Sequence, residues 1–163
     1  MEYEHIVHSF EPVYDKDSEI LILGTLPSVK SRENNFYYGH KQNRFWKVLA
    51  TLLKEPVPDT IEEKKAMLLA HRIALWDVIQ SCDIKGSSDS SIKNVQSTDI
   101  GMILEKTNIT RIYANGNKAG QLYKRYQFPV TGRKATVLPS TSPANAAWSL
   151  ERLCEAWHVV LER

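Results

Sequence analysis

Asn43 stands in the run FYYGHKQNRFW, which also holds Phe36, Tyr37, Tyr38, Gly39 and His40. Its amide can donate and accept hydrogen bonds but cannot serve as a general base. Placed ahead of Arg44-Phe45-Trp46 it also fits a helix N-cap, so a site role and a capping role both stand. Gly24, Pro27 and Ser28, in GTLPS, could turn backbone N–H groups and a hydroxyl towards a ligand, or simply end a strand. Asn115-Gly116 offers an amide at a turn, and LPSTSPAN (Leu138 to Asn145) offers three consecutive hydroxyls. Asp77, directly after Trp76, reads as a catalytic carboxylate or a structural cap. Cys82 has no histidine or second cysteine at ligand spacing, so no metal is expected. No G-x-G-x-x-G or P-loop pattern points to a common nucleotide binder.

The elements that would hold these groups alternate along the chain. Ile20 to Leu23 is apolar, β-branched and too short for a helix, which predicts a buried strand stopped by Gly24 and Pro27. Phe45, Trp46, Val48, Leu49, Leu52 and Leu53 recur at helical spacing until Pro56 and Pro58. A second helix follows from a cap at Asp59 or Thr60, with Glu62 and Glu63 in its first turn. Arg72 to Ile79, Arg111 to Ala114 and Ala135 to Leu138 are the remaining predicted strands. The serine-rich Ser81 to Asn94 segment reads as a long loop, and Ser97 or Thr98 as the cap of the next helix. Further helices run through Tyr126 and to about Leu161, with Trp46, Trp76, Trp148 and Trp157 as core or helix-face residues.

Strand–helix alternation predicts an α/β fold: a three-layer α/β/α sandwich around a central, mostly parallel four-stranded sheet, in one domain over residues 1–163. Ligands of such folds sit beyond the carboxyl ends of the strands, where the polar segments fall. A chain of 163 residues with 42% hydrophobic and 25% charged residues fits a globular protein with a sizeable core. The net charge of +2 permits polyanion binding without requiring it. Two cysteines are too few for a disulfide framework, and no signal-peptide or membrane-spanning pattern is seen, so a cytoplasmic setting is expected.

The motifs GTLPS, FYYGH, NRFW, LWDV and LPSTSPAN, in this order over nearly the whole chain, resemble the uracil-DNA glycosylase superfamily. GTLPS is similar to its first motif and LPSTSPAN to the second, the loop that wedges into DNA beside the extruded nucleotide. Other branches carry Asp or Asn at the third position of the first motif to handle water, and here that residue is Leu26. The combination instead resembles the hypoxanthine (deoxyinosine) DNA glycosylase branch, and the resemblance implies that Asn43 is the catalytic residue.

What the resemblance implies is a monofunctional glycosylase that flips a damaged base out of double-stranded DNA and hydrolyses its N-glycosidic bond. No cofactor or metal is implied, and the protein is expected to act as a monomer, away from membranes and at the nucleoid. Gly24, Thr25, Leu26, Phe36, Tyr38, Gly39, His40 and Asn115 are then the expected base-binding residues. Phe36 to Tyr38 would stack on the base, at least one of them serving as a plug instead. His40 would contact phosphate or base, or be surface only. Pro27, Ser28, Ser140, Thr141, Ser142, Pro143 and Ala144 are the expected DNA contacts, with Lys41, Arg44, Lys118 and Arg133 as supplementary cations. The alternatives are a uracil or mismatch-specific glycosylase of the same fold, a non-catalytic nucleotide-binding module, or an inactive DNA-binding relative.

Overall fold

The computed structural model describes residues 2–27, 36–86 and 88–162. Strand β1 is Glu4–Val7 and β2 is Ile20–Gly24, the latter buried along its whole length. Helices α1 (Phe45–Leu53) and α2 (Ile61–Ala70) lead to β3 (Ile73–Asp77), also buried throughout. Next come β4 (Ile79–Ile84), β5 (Lys93–Ser97) and α3 (Ile100–Lys106). Strand β6 (Arg111–Asn115) is followed by α4 (Asn117–Leu122), a π-turn at Tyr123–Gln127 and the short α5 (Phe128–Thr131). Strand β7 (Ala135–Leu138) and helix α6 (Leu150–Trp157) close the fold.

The four strands read from the sequence form one parallel sheet in the order β3-β2-β6-β7, flanked by helices. Continuous apolar runs such as ILILG suit strands covered on both faces. Helix α1 packs on α6, where Phe45 and Trp157 meet edge to face at 5.9 Å, both fully buried. Trp46 and Trp76 are likewise buried, whereas Trp148 is half-buried with the Arg152 guanidinium 4.1 Å above its ring.

A second, antiparallel sheet, ordered β1-β4-β5, occupies much of the segment expected to be a long loop. Two register shifts interrupt the β4–β5 pairing, so the period-two pattern of a strand never becomes continuous in the sequence. Strand β5 has no buried side chain, and β1 only the partly buried Ile6. Cross-strand pairing rather than periodicity defines these strands.

The chain passes from one sheet to the other at Asp77-Val78-Ile79, and this corner is tightly fixed. Val78 N–H donates to Gly24 O at 2.8 Å and Ile79 N–H to Thr25 O at 3.1 Å. The Thr98 hydroxyl, expected as a helix cap, donates instead to Asp77 O at 2.7 Å, and Asp99 caps α3 through Met102 N–H. Thr60 caps α2 by accepting from Glu63 N–H. The carboxyl ends of β2 and β3 are thus locked side by side, with Gly24 and Asp77 paired in register.

Candidate active site

A cavity of about 290 Å³ opens at the carboxyl ends of the parallel strands. Gly24 to Pro27 line it after β2, Asp77 at the end of β3, Asn115 to Lys118 after β6, and Ser140, Thr141, Ser142 and Ala144 after β7. Tyr37, Tyr38 and Asn43 come from the segment leading into α1, Ile84 from the end of β4, and Gly86 and Asp89 from the β4–β5 connection. The volume lies near the lower end of the range for small-molecule sites.

Asn43 is held from its oxygen side. Its Oδ1 accepts from Phe45 N–H at 2.9 Å and from the Thr141 hydroxyl at 2.8 Å. A backbone N–H can only donate, so the atom facing it must be the carbonyl oxygen. The Asn43 NH2 group has no hydrogen-bond partner among the described residues and is left to serve the cavity. The N-cap of α1 is Arg44, not Asn43: the Asn43 oxygen closes a turn onto Phe45 N–H one residue before the helix, while the nitrogen remains available.

Thr141 is fully buried, and the Asn115 side chain brackets it. Asn115 Nδ2 donates to its hydroxyl oxygen at 3.0 Å, and its N–H donates to Asn115 Oδ1 at 3.0 Å. The line Asn115–Thr141–Asn43 therefore ties the ends of β6 and β7 to the start of α1. Arg44, read from the sequence as a cation for DNA, points inward instead. Its guanidinium donates to the carbonyl oxygens of Ser142 and Asn145, each at 3.0 Å, and to that of Trp148. Arg44 N–H also donates to Thr141 O at 3.0 Å. A planar guanidinium with a fan of donors suits the curved carbonyl surface of this loop.

At the floor of the cavity a bond of 2.8 Å joins Asp77 Oδ2 to His8 Nε2, and both side chains are almost completely buried. A hydrogen bond to a charged group of this kind is worth about 1.5–3 kcal/mol. Gly24 makes the arrangement possible, because a β-carbon there would lie 2.4 Å from Asp77 Oδ1 and 2.8 Å from the Tyr38 hydroxyl. Tyr38, at φ 55°, stacks on Phe45 with ring centroids 4.1 Å apart. Its hydroxyl is buried beside the Asn115 amide and makes no hydrogen bond of good geometry among the described residues. Burial and then the Asp77 charge push both the Tyr38 and Tyr37 phenols well above the usual range, the nearby Asn115 amide pulling Tyr38 weakly the other way.

Of the expected base-binding residues, Gly24, Thr25, Leu26, Tyr38 and Asn115 line the cavity with Asn43. Phe36 does not: it is buried against Tyr37 and Trp46 as a plug, and Tyr37 takes its place in the wall. Gly39 and His40 are also outside the lining, and His40 Nδ1 accepts from Gln42 N–H at 3.1 Å. Asn115 reaches the cavity, but its amide oxygen and nitrogen are both engaged by Thr141. Among the expected DNA contacts, Pro27, Ser140, Ser142 and Ala144 line the opening, Pro143 does not, and Ser28 lies outside the described residues. Thr141 is too deeply buried to meet a phosphate. Sequence reasoning left Asp77 between a catalytic carboxylate and a structural cap, and the structure puts it in the cavity lining. That reasoning missed His8 altogether, since a partner 69 positions away leaves no local signal. No cluster of three or more His, Cys, Asp or Glu side chains able to hold a metal ion occurs among the described residues.

A sequence model of the uracil DNA glycosylase superfamily matches residues 11–161. The chain belongs to that superfamily. It is 38% identical over 157 residues to a hypoxanthine DNA glycosylase of Methanosarcina acetivorans, spanning 95% of this chain and 98% of the relative. A hypoxanthine DNA glycosylase of Methanosarcina barkeri is 30% identical over 156 residues, with 94% and 97% covered. The solution NMR structure of a candidate uracil DNA glycosylase from M. acetivorans superposes with a TM-score of 0.80 at 36% identity, covering 93% of this chain and 94% of that one. The parallel sheet and its flanking helices are therefore a glycosylase fold, and the cavity lies at the strand ends where ligands of α/β sheets bind.

Proposed function

We propose that this chain is a monofunctional DNA glycosylase that excises hypoxanthine, the deamination product of adenine, from double-stranded DNA and leaves an abasic site. The observation that carries this reading is the Asn43 amide, turned donor-first towards a cavity of about 290 Å³. The hypoxanthine DNA glycosylases to which the chain is similar along nearly their whole length support the substrate.

Excision breaks the bond between C1′ of the sugar and N9 of the base, and the base leaves with the electron pair. Water oxygen then bonds to C1′, and its proton passes to the departed base or to solvent. Negative charge grows on the base as the bond stretches, and hypoxanthine offers N3, N7 and O6 as acceptors. The Asn43 N–H groups suit that charge, and such a preorganised donor is worth about 2.7–4 kcal/mol. Leu26 lines the cavity at the position where other branches handle water, and it offers no proton acceptor. The expected route is therefore one in which departure of the base leads and attack by water follows.

Incubation with duplexes carrying a single inosine, uracil or xanthine, followed by alkaline cleavage, tests the reading. Inosine should be cut fastest, and Asn43→Ala should lose most of that activity. Faster release of uracil would move the chain to the substrate suggested by its 36% identical structural neighbour. Binding of duplex without cleavage of any lesion would leave an inactive relative.

A further inference from the structure

Three charged side chains line the cavity: Asp77, Asp89 and Lys118. Asp77 lies at the floor, with one oxygen taken by His8. Asp89 and Lys118 stand where solvent reaches them, the first on the β4–β5 connection and the second in the first turn of α4. Neither of these two side chains makes a hydrogen bond or an ion pair among the described residues. Shelter in the rim pushes the Asp89 carboxyl above its ordinary value, and the smaller pull of the Lys118 ammonium acts the other way. The segment that carries Asp89 is braced by its own serines. Ser88 N–H donates to Lys85 O at 3.1 Å, Lys85 N–H to Ser91 Oγ at 2.9 Å, and the Ser91 hydroxyl to Ser88 O at 2.7 Å. The short helical turn Asp89–Ser91 is therefore pinned at both ends, and its first residue presents an unengaged carboxylate to the cavity.

We propose that Asp89 is a catalytic residue for the sugar half of the reaction, supplying from the β4–β5 connection the carboxylate that Leu26 cannot. The inference rests on the glycosylase reading above and deepens it. An extruded nucleotide stays tethered through its backbone, so the base goes deep and C1′ remains at the mouth. As the bond to N9 stretches, positive charge spreads over C1′ and the ring oxygen while negative charge gathers on the base. Asn43 offers N–H groups to the base and Asp89 offers a carboxylate to the sugar, so each end of the developing dipole meets its opposite. Water then bonds through its oxygen to C1′. The proton it gives up passes to the Asp89 carboxylate, and from there to the departed base or to solvent. Asp77 lies too deep for either task.

Two abasic-site duplexes test this without reference to any base. One carries a pyrrolidine azasugar, whose ring cation sits where charge forms at C1′, and the other carries the neutral tetrahydrofuran analogue. At one fixed salt concentration the wild-type chain should bind the azasugar duplex at least about 10-fold more tightly than the neutral one. Asp89→Asn should abolish that preference and should bind the neutral duplex as tightly as before or more so, because a negative charge near phosphates is gone. In single-turnover reactions the same variant should release hypoxanthine about 10²-fold more slowly. A preference for the cation that persists in Asp89→Asn overturns the inference, as does a wild-type chain with no preference. Weaker binding of both duplexes with an unchanged single-turnover rate overturns it too, since Asp89 would then only shape the DNA contact. A wild-type chain that prefers the cation through Asp89 yet cuts no inosine would sink the hypoxanthine reading and support this inference.

Discussion

The Thr141 hydroxyl lies 2.8 Å from Asn43 Oδ1, and this bond fixes which end of the amide meets the cavity. Thr141 is itself fixed by two bonds with the buried Asn115, accepting one at its hydroxyl and donating the other from its N–H. The loop after β7 therefore holds the Asn43 amide from behind. Thr141→Val keeps the shape but removes the donor to Asn43. It should cost about 1–3 kcal/mol of stability for the polar partners left unsatisfied, read by denaturant unfolding. Excision of inosine should fall through kcat more than through KM.

Asn43→Asp separates donation from acceptance. One carboxylate oxygen can still accept from Phe45 N–H and Thr141, but the other presents an acceptor to the base instead of a donor. Excision should fall about as far as in Asn43→Ala, by roughly 10²–10³-fold. Retention of most activity in the aspartate variant would show that Asn43 handles water rather than the departing base.

Arg44 binds carbonyl oxygens of Ser142, Asn145 and Trp148, so its charge belongs to the fold of the loop after β7. Lysine offers a point charge on a flexible stem and cannot span the same fan. Arg44→Lys should speed hydrogen exchange across residues 139–148 and lower excision by up to about 10²-fold, the usual penalty of a misplaced site. The salt dependence of duplex binding should not change, since the side chain is not offered to phosphate.

Gly24→Ala tests the close approach of β2 and β3. The added methyl would meet Asp77 Oδ1 at 2.4 Å and the Tyr38 hydroxyl at 2.8 Å. Overpacking of this kind costs about 1–3 kcal/mol, and inosine excision should fall further than stability alone explains. Normal activity in a soluble Gly24→Ala protein would contradict the geometry of the floor.

Tyr37 and Tyr38 have phenols raised above the usual value of about 10, first by burial and then by Asp77. In the unfolded chain they release protons above about pH 10, whereas in the folded chain they hold them. Their contribution to stability is therefore complete below that pH and is lost as pH rises beyond it. Of the seven tyrosines, these two should stay silent in an alkaline phenolate titration until the protein unfolds. Tyr37→Phe should shift the alkaline unfolding transition upward in pH.

The sequence alone determined the parallel sheet and the three polar corners at its strand ends. Apolar runs such as ILILG and RIALWD, stopped by turn residues, can be satisfied only as buried strands, and α/β connectivity sends their loops to one edge. It also determined the motifs by which the superfamily is known. It did not determine the antiparallel sheet, because its outer strands β1 and β5, with no fully buried side chain, owe their form to pairing with β4. Nor did it determine the roles of Thr141, Arg44, His8 and Asp77, whose residue types suited surface or capping duties equally well. An amide becomes a donor, a hydroxyl a strut and a carboxylate a floor only when partners such as Thr141 and Asn43, 98 positions apart, meet and use up one side of each group. Hydrogen-bond direction is a property of contacts, and distant contacts exist only in the folded chain.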